Sequence, residues 1–168
     1  MKENIILIGF MGTGKSTIAK AIAQKEECQM IDTDEYIEEL ENMSIPDIFK
    51  EKGEAYFRKA ETRAIKSLLK KEKGFVISCG GGLPLIEENI KLIRQLGHVI
   101  LLMADEETIW CRVRNNANRP LLNVENPQKR IHELLEERLP IYEKAAHQKV
   151  NSTMPSVLDI VNECLKEI

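Results

Sequence analysis

The chain has 168 residues, with 24 Lys and Arg against 27 Asp and Glu, and carries a net charge of −3. This length predicts a single domain over residues 1–168, and the slightly acidic balance disfavours nucleic acid or an anionic membrane as a partner. No apolar run approaches the ~20 residues that span a bilayer, and the first predicted strand leaves no room for a signal peptide. Four widely spaced cysteines and three histidines without metal-ligand spacing predict free thiols in a reducing cytoplasm rather than disulfides or a zinc site.

Short apolar strands alternate with helical stretches along the chain. Strands are predicted at residues 5–9, 29–32, 75–79, 98–103 and 148–151. Helices are predicted at residues 15–26, 34–41, 45–52, 54–72, 85–96, 106–115, 128–146 and 156–167. This alternation predicts a three-layer α/β fold, with a five-stranded parallel sheet and helices on both faces. Because ligands of such sheets bind beyond the carboxyl ends of the strands, the residues that follow each strand are the candidates for function.

The first strand leads into Gly9-Phe10-Met11-Gly12-Thr13-Gly14-Lys15-Ser16, which reads G-x-x-x-x-G-K-S. With a strand before it and a helix after it, such a loop turns backbone N–H groups toward phosphate oxygens. Lys15 would reach the β- and γ-phosphates, and the Ser16 hydroxyl can ligate Mg²⁺. A glycine-rich turn that precedes Lys-Ser by chance is the weaker alternative. A nucleoside triphosphate is therefore expected to bind here, at Gly12, Thr13, Gly14, Lys15, Ser16 and Thr17.

Two carboxylates follow the second strand, in the sequence Ile31-Asp32-Thr33-Asp34. Side chains two residues apart on a strand point the same way, so Asp32 and Asp34 are expected to face one site. Carboxylates there can order the water shell of Mg²⁺ or accept a hydrogen bond from an attacking hydroxyl. The alternative, weighed for Asp34 in particular, is that one of the two aspartates only caps the following helix.

Residues 34–72 contain three helical pieces between the second and third strands, which is more than one crossover needs. Ser44, followed by Pro46 and Asp47, predicts the start of one of these helices. The extra helices could form a wall over the sheet edge and hold a second substrate, in a region of about residues 33–62.

Three glycines follow the third strand, in Ser78-Cys79-Gly80-Gly81-Gly82. They allow the backbone to approach a ligand closely and offer N–H groups, and a flexible turn before a helix that starts at Pro84 is the alternative. This strand lacks the terminal Asp of the usual Walker-B pattern. The carboxylate on the metal side is therefore expected to be Asp32.

The fourth strand leads to Asp105, which is expected to cap the next helix rather than to bind metal. Residues 115–126 are rich in Asn and contain Pro120, which is a loop composition. Beside a nucleotide site, such a loop is typical of a lid that closes and excludes water. We place this lid at about residues 112–126.

Five arginines surround the expected cleft, and they are Arg58, Arg112, Arg114, Arg119 and Arg138. A lid arginine can stabilise charge on a phosphoryl group during transfer, and a pair of arginines suits bidentate binding of a carboxylate. Spacing leaves open the alternative that each arginine is a solvated helix residue or an ion-pair partner.

Together these motifs resemble the shikimate kinase family, small P-loop kinases of the nucleoside monophosphate kinase-like group. The resemblance covers essentially the whole chain, and its ordered set of motifs is far more specific than the P-loop alone. The matching segments are Gly9 to Thr17, Asp32-Thr33-Asp34, Ser44-Ile45 with Ile48-Phe49, Gly53-Glu54 with Phe57-Arg58 and Glu61, Gly80-Gly81-Gly82, Arg119-Pro120-Leu121-Leu122, and Arg138 with Pro140-Ile141-Tyr142.

The resemblance implies a P-loop kinase fold and transfer of the γ-phosphate of ATP to the 3-hydroxyl of shikimate, on the route to chorismate and the aromatic amino acids. It also implies a cytoplasmic monomer that uses ATP and Mg²⁺.

The family's functional residues carry over onto matching positions. The resemblance implies that Lys15, Asp34 and Arg119 are catalytic, with Asp34 as a base or an orienting group. The implied substrate-binding residues are Asp34, Arg58, Gly80, Gly81, Gly82 and Arg138. Beyond the P-loop, the implied ATP contacts are Arg112, Arg119 and Thr153. Arg112 looks like the family's adenine-stacking arginine, and Thr153 belongs to the stretch 152–155. Ser16 and Asp32 would serve Mg²⁺, directly or through water.

Two alternatives stay open at this point. A sugar-acid kinase such as gluconate kinase would share the P-loop, the fold and a polyol carboxylate substrate, but the G-E-x-x-F-R and G-G-G segments favour shikimate. A nucleotide-dependent regulatory module would keep the P-loop and lose the acceptor chemistry, which the joint presence of Asp34, Arg58 and Arg138 disfavours.

Overall fold

The computed structural model describes residues 3–115, 120–154 and 156–168. The strands are β1 (Asn4–Ile8), β2 (Gln29–Asp32), β3 (Phe75–Ser78), β4 (Gly97–Met103) and β5 (Gln148–Asn151). The helices are α1 (Lys15–Lys25), α2 (Thr33–Glu41), α3 (Ile45–Lys52), α4 (Glu54–Leu68), α5 (Glu87–Leu96), α6 (Glu106–Val113), α7 (Pro127–Ala145) and α8 (Val157–Cys164). Short 3-10 helices lie at Leu83–Leu85 and Pro120–Leu122.

The strands form one parallel sheet in the order β2-β3-β1-β4-β5. In the central strand β1, Ile6 pairs with Ile77 of β3 on one side and with Val99 of β4 on the other. Every residue of β1 is buried, because helices cover both faces of the sheet, and this explains its continuous apolar run. The predicted three-layer α/β fold is confirmed.

The sheet divides the core into two layers. On one face, Ile6 and Ile8 pack with apolar side chains of α4, α5 and α7. On the other face, Ile5 and Leu7 pack with those of α1 and α8. The alternation of side chains along β1 accounts for this division. A third, smaller cluster around Phe57 joins α2, α3 and α4, which are the extra helices of the region 33–62.

Capping residues set the starts of α3 and α6. Ser44 Oγ accepts a hydrogen bond from the backbone N–H of Asp47 at 3.3 Å, and Asp105 Oδ1 accepts one from the N–H of Thr108 at 2.7 Å. Each cap satisfies an N–H group that has no partner within the helix. Both predicted helix starts are confirmed, and Asp105 is a cap as expected.

Several predicted helices, those matching α4, α5, α6 and α8 among them, are longer than the observed ones. α4 ends at Leu68 rather than at residue 72, because residues 70–73 are charged and exposed and offer no apolar face to bury. The helix predicted at residues 85–96 begins only at Glu87, since Pro84 lies in the 3-10 turn and Ile86 is extended.

Within the described ranges, no helix is both long and apolar enough to cross a membrane. The four cysteines are free thiols, of which Cys79 and Cys164 are buried.

Candidate active site

The loop between β1 and α1 curls as the glycine motif predicts. Gly12 and Gly14 have φ angles of 76° and 88°, in the left-handed region that favours glycine. A Cβ atom at Gly12 would lie 2.8 Å from Cγ1 of Val113. α1 begins with Gly14 as its N-cap, without a side-chain cap and without an acidic residue in its first turn. The first-turn N–H groups can therefore bind an anion, which the helix dipole also favours.

Lys15 is folded over this loop. Its Nζ donates hydrogen bonds of 3.0 Å to the carbonyl oxygens of Gly9 and Phe10. The Thr13 hydroxyl donates to the same Phe10 oxygen at 2.8 Å. These bonds place the ammonium group over the loop, where a more strongly charged phosphate oxygen can compete for it.

A cavity of about 720 Å³ joins the phosphate loop to the carboxyl ends of β2 and β3. The predicted site residues that line it are Gly12, Thr13, Gly14, Lys15, Ser16, Thr17, Asp32, Asp34, Gly80, Gly81, Gly82, Arg112 and Arg138. The sheet order explains this convergence, because β1, β2 and β3 are neighbours and parallel strands end at the same edge.

Asp32, the last residue of β2, bonds in two directions. Its Oδ2 accepts a hydrogen bond from Ser16 Oγ at 3.2 Å, and its Oδ1 accepts one from the backbone N–H of Asp34 at 3.0 Å. Asp32 is therefore the N-cap of α2, so one of the two aspartates caps this helix, as the alternative stated, but it is Asp32 rather than Asp34. Asp34 lies on the helix, so the expectation that strand alternation aligns the two carboxylates is wrong. The turn into α2 brings both of them to the cavity instead.

Ser78 is a site residue whose role sequence reasoning missed. It is 1% exposed at the end of β3, and its Oγ lies 3.3 Å from Ser16 Oγ. It pairs with Asp32 in the sheet register, at the strand end where the Walker-B pattern would place an acid. The sequence did contain a signal for this role, because Ser78 stands where the Walker-B pattern would have its aspartate.

Asp34 lies against the glycine loop. A Cβ atom at Gly80 would stand 2.6 Å from Asp34 Oδ1, so glycine is needed for the carboxylate to approach this backbone. Burial, and to a smaller degree the charge of Asp32, raises the pKa of Asp34 to about 6, while Lys15 and Arg58 act in the opposite direction. The site therefore holds a carboxyl group that is more basic than usual and is ionised at neutral pH.

Arg58 on α4 is not among the residues that line this cavity, but its guanidinium group lies beside the third glycine, which does line it. A Cβ atom at Gly82 would collide with its guanidinium group. Arg58 Nη1 donates to Glu61 Oε2 at 2.8 Å, and Nη2 donates to Glu54 Oε1 at 3.4 Å. Glu61 is 1% exposed, and burial raises its pKa to about 7 against the opposing effect of Arg58. Glu61 is part of a sequence motif, but that motif did not predict that Glu61 holds Arg58.

Arg138 reaches the cavity from α7 on the opposite side. Within the described part of the chain, its buried Nε has no hydrogen-bond partner. One turn later, the hydroxyl of Tyr142 donates to the carbonyl oxygen of Gly81 at 2.7 Å. The structure thus brings Asp34, Arg58 and Arg138 around one glycine loop, as the sequence predicts.

The other end of the cavity is bridged by Arg112. Its Nη1 donates to the carbonyl oxygen of Gly12 at 3.1 Å, and its Nη2 donates to that of Ser152 at 2.9 Å. Ser152 and Met154 line the cavity, whereas the Thr153 hydroxyl accepts a hydrogen bond from the backbone N–H of Asp105 at 3.1 Å. The structure therefore brings the neighbours of Thr153 to the site, but not Thr153 itself.

The predicted lid is described in part. Arg119 and the rest of residues 116–119 lie outside the described residues. After them, Leu121 lines the cavity and Leu122 is buried in the core.

A strand, a glycine loop and an uncapped helix, with carboxylates and hydroxyls at the neighbouring strand ends, define a phosphotransferase of the P-loop class. The acidic and basic groups opposite the loop are those that a small hydroxyl-bearing acid would require.

Comparisons with known proteins define the class further. The family model for shikimate kinase matches residues 11–168. A shikimate kinase of Thermodesulfovibrio yellowstonii is 47% identical over 143 residues, which cover 85% of this chain and 82% of the relative. One from Sulfurihydrogenibium sp. is 40% identical over 166 residues, which cover 99% of this chain and 98% of the relative. The chain belongs to the shikimate kinase family.

Solved structures agree with this assignment. The structure of shikimate kinase from Acinetobacter baumannii in complex with shikimate has a TM-score of 0.90 at 33% identity, over 98% of this chain and 92% of that chain. A gluconokinase from Sinorhizobium meliloti 1021 has a TM-score of 0.58 at 17% identity, over 98% of this chain and 90% of that chain. The second likeness shows the shared fold alone.

Proposed function

We propose that this protein transfers the γ-phosphoryl group of ATP to the 3-hydroxyl of shikimate, giving shikimate 3-phosphate and ADP on the route to chorismate. The observation that carries the proposal is a single cavity with the phosphate loop at one end and Asp34, the three glycines and Arg138 at the other. The relative that binds shikimate, at 33% identity over nearly the whole chain, supports the choice of acceptor.

The donor end binds the phosphates of ATP. Gly12, Thr13 and Gly14 supply loop N–H groups, and Ser16 and Thr17 lie in the first turn of α1. Lys15 exchanges its bonds to two loop carbonyl oxygens for bonds to the β- and γ-phosphates. A fixed cation at the transferring group stabilises the charge that it carries in the transition state.

The hydroxyls and carboxylate at the strand ends suit Mg²⁺, which prefers hard oxygen ligands and keeps several waters. Ser16 and Asp32 would hold the ion, directly or through water, and Ser78 orients the Ser16 hydroxyl from its buried position. When bound, the ion neutralises negative charge on the phosphates.

Asp34 accepts a hydrogen bond from the 3-hydroxyl of the acceptor. With a pKa of about 6, its carboxylate is ionised at neutral pH and more basic than an exposed aspartate. It can therefore withdraw the proton as a base or orient the oxygen for attack. Because phosphoryl transfer depends chiefly on positioning and charge stabilisation, either role requires the ionised form.

The arginines on opposite sides of the glycine loop bind the carboxylate of the acceptor. Arg58 is oriented by Glu61, whereas Arg138 has a buried Nε without a partner among the described residues, which an acceptor oxygen can supply. Gly80, Gly81 and Gly82 let the backbone contact the acceptor. Gly80 already donates its N–H to Thr33 Oγ1 at 2.9 Å, so its contribution is close approach rather than donation.

We further propose that Arg119 stabilises the transferring phosphoryl group from the lid and that Arg112 packs against adenine beside the stretch 152–155. Thr153 stays a predicted ATP contact. Residues 1–168 act as one domain, with the acceptor region at about 33–62 and the lid at about 112–126. The protein works as a cytoplasmic monomer, with neither nucleic acid nor membrane as a partner.

The test is ADP release from Mg²⁺-ATP with shikimate, with gluconate and with no acceptor, followed by phosphorus NMR of the product. We expect release with shikimate alone and a phosphate ester on the 3-oxygen. Release with gluconate, or equal release without an acceptor, would overturn the proposed roles of Asp34, Arg58 and Arg138 while leaving the P-loop assignment intact.

A further inference from the structure

The loop of three glycines is held by two side chains that do not line the acceptor cavity with it. On one side, Thr33 Oγ1 accepts a hydrogen bond from the N–H of Gly80 at 2.9 Å. On the other side, the Tyr142 hydroxyl donates to the carbonyl oxygen of Gly81 at 2.7 Å. Thr33 is 0% exposed and Tyr142 is 1% exposed. We call these two residues the glycine clamp.

Three consecutive glycines need such external bonds. Glycine has the largest conformational freedom of any residue and no side chain with which to anchor itself. Within the loop, the N–H of Leu83 donates to the Gly80 oxygen at 3.1 Å, which closes the turn without relating it to the rest of the site. The position of the loop between α2 and α7 therefore depends on the clamp.

Tyr142 lies on α7, one turn after Arg138. Burial raises the pKa of the Tyr142 phenol above its ordinary value, against the opposing charge of Arg138. The phenol therefore stays protonated and donates to the Gly81 oxygen. Because Tyr142 and Arg138 lie one turn apart on α7, this bond joins the helix that carries Arg138 to the glycine backbone.

Core packing holds the Tyr142 ring, whereas its hydroxyl bond is what joins it to the glycine loop. The ring borders a second, largely apolar cavity of about 610 Å³, between β4 and α7, whose lining includes Phe10, Leu101 and Leu139. The ring is 1% exposed and belongs to the main core cluster, so a phenylalanine ring can occupy the same place without the hydroxyl bond.

We propose that Thr33 and Tyr142 are positioning residues for the acceptor: together they set the glycine loop and Arg138 at the separation that the acceptor requires. This proposal rests on the proposed function. Thr33 bonds the side of the loop next to Asp34, and Tyr142 bonds the loop from α7, the helix that carries Arg138. Loss of either bond loosens the acceptor end and leaves the P-loop unchanged.

The experiment compares Tyr142→Phe and Thr33→Val with the wild type in steady-state assays with shikimate and ATP. Each variant keeps the buried shape and removes one hydroxyl. We expect the KM for shikimate to rise about 5- to 20-fold, the loss typical of one buried hydrogen bond, and the KM for ATP to stay within about twofold. Thr33→Ser keeps a hydroxyl and should restore the KM for shikimate.

Gln148→Met is the matched control. The Gln148 Nε2 donates to the carbonyl oxygen of Glu163 at 2.8 Å, a buried side-chain bond of the same kind on the far strand β5. Its loss should lower the melting temperature as the clamp variants do, without changing either KM. If the clamp had only a structural role, Tyr142→Phe and Thr33→Val would behave like Gln148→Met, with a lower melting temperature and an unchanged KM for shikimate.

Failure of this proposal is distinguishable from failure of the proposed function. If the wild type does not phosphorylate shikimate, the proposed function is wrong. If the wild type does so and folded Tyr142→Phe keeps the wild-type KM for shikimate, or loses ATP and shikimate affinity in parallel, the positioning proposal is overturned. Should Tyr142→Phe fail to fold, Thr33→Val against Thr33→Ser decides by the same criteria.

Discussion

Gly82→Ala is the substitution whose effect the structure predicts most directly. The added Cβ would stand 2.9 Å from Nη2 and 3.0 Å from Cζ of Arg58, and closer still to Nη1. Non-bonded heavy atoms are comfortable at about 3.5–4.0 Å, so the guanidinium must move by about 1 Å. Gly82 has φ −87° and ψ −15°, which alanine adopts without strain, so the backbone has no reason to change.

The displaced group is the proposed carboxylate-binding arginine. A charge-assisted hydrogen bond is worth about 1.5–3 kcal/mol, and a factor of ten corresponds to about 1.4 kcal/mol, so we expect the KM for shikimate to rise about 10- to 100-fold. The KM for ATP should stay within about twofold. Because replacing glycine by alanine in a compatible conformation reduces the entropy of the unfolded chain, the variant should fold at least as stably as the wild type.

The assay is ADP release at saturating ATP with varied shikimate, then the reverse, with a melting curve for each protein. Gly81→Ala is the comparison variant, because its added Cβ would meet the Gly9 oxygen at 3.6 Å and the Tyr142 hydroxyl at 3.8 Å, which are ordinary contacts. We expect it to change the KM for shikimate much less. A Gly82→Ala enzyme with the wild-type KM for shikimate would refute the placement of Arg58.

Four further outcomes are expected. Because the pKa of Asp34 is about 6, kcat/KM for shikimate should fall tenfold per pH unit below pH 6. A flat pH profile in that range would contradict the proposed role of Asp34. Asp34→Asn should abolish turnover. The pKa of Asp34 is raised from 3.8, so the fold disfavours its ionisation. The stability that Asp34 contributes is therefore present below pH 4 and lost as pH rises through 6. Thermal melts of Asp34→Asn should lack this loss. Lys15→Ala should abolish transfer with an unchanged circular dichroism spectrum, and near-normal turnover would remove the P-loop assignment. Hydrogen exchange should slow in residues 34–62 and 112–126 when ATP analogue and shikimate bind, whereas exchange unchanged in both segments speaks against closure.

The P-loop could be predicted because its chemistry is local. A glycine-rich loop with Lys and Ser, between an apolar strand and a helix, has few other structural solutions, and the capping roles of Ser44 and Asp105 depend only on neighbouring residues. The parallel sheet followed for a similar reason, because apolar runs of strand length alternated with helical periods.

The pairing of Asp32 and Asp34 shows where local reasoning stops. Sequence spacing suggested two carboxylates on one strand, whereas the chain turns between them and Asp32 caps the helix on which Asp34 lies. Both reach the cavity, but through the geometry of that turn. A capping aspartate and a strand-end aspartate have the same sequence appearance, and only the backbone path distinguishes them.

Contacts over long sequence separations were decided by the tertiary structure. Ser16 meets Ser78, Thr33 meets Gly80 and Gly81 meets Tyr142, all across different elements. None has a periodic or local signal, because their distances follow from the strand order β2-β3-β1-β4-β5 and from how helices pack on it. The sequence alone determined the class of chemistry, since that depends on which groups are present beside each strand. Which of those groups touch, and how burial shifts the pKa of Asp34, depended on the packed fold, because desolvation and contact exist only once distant segments share one cavity.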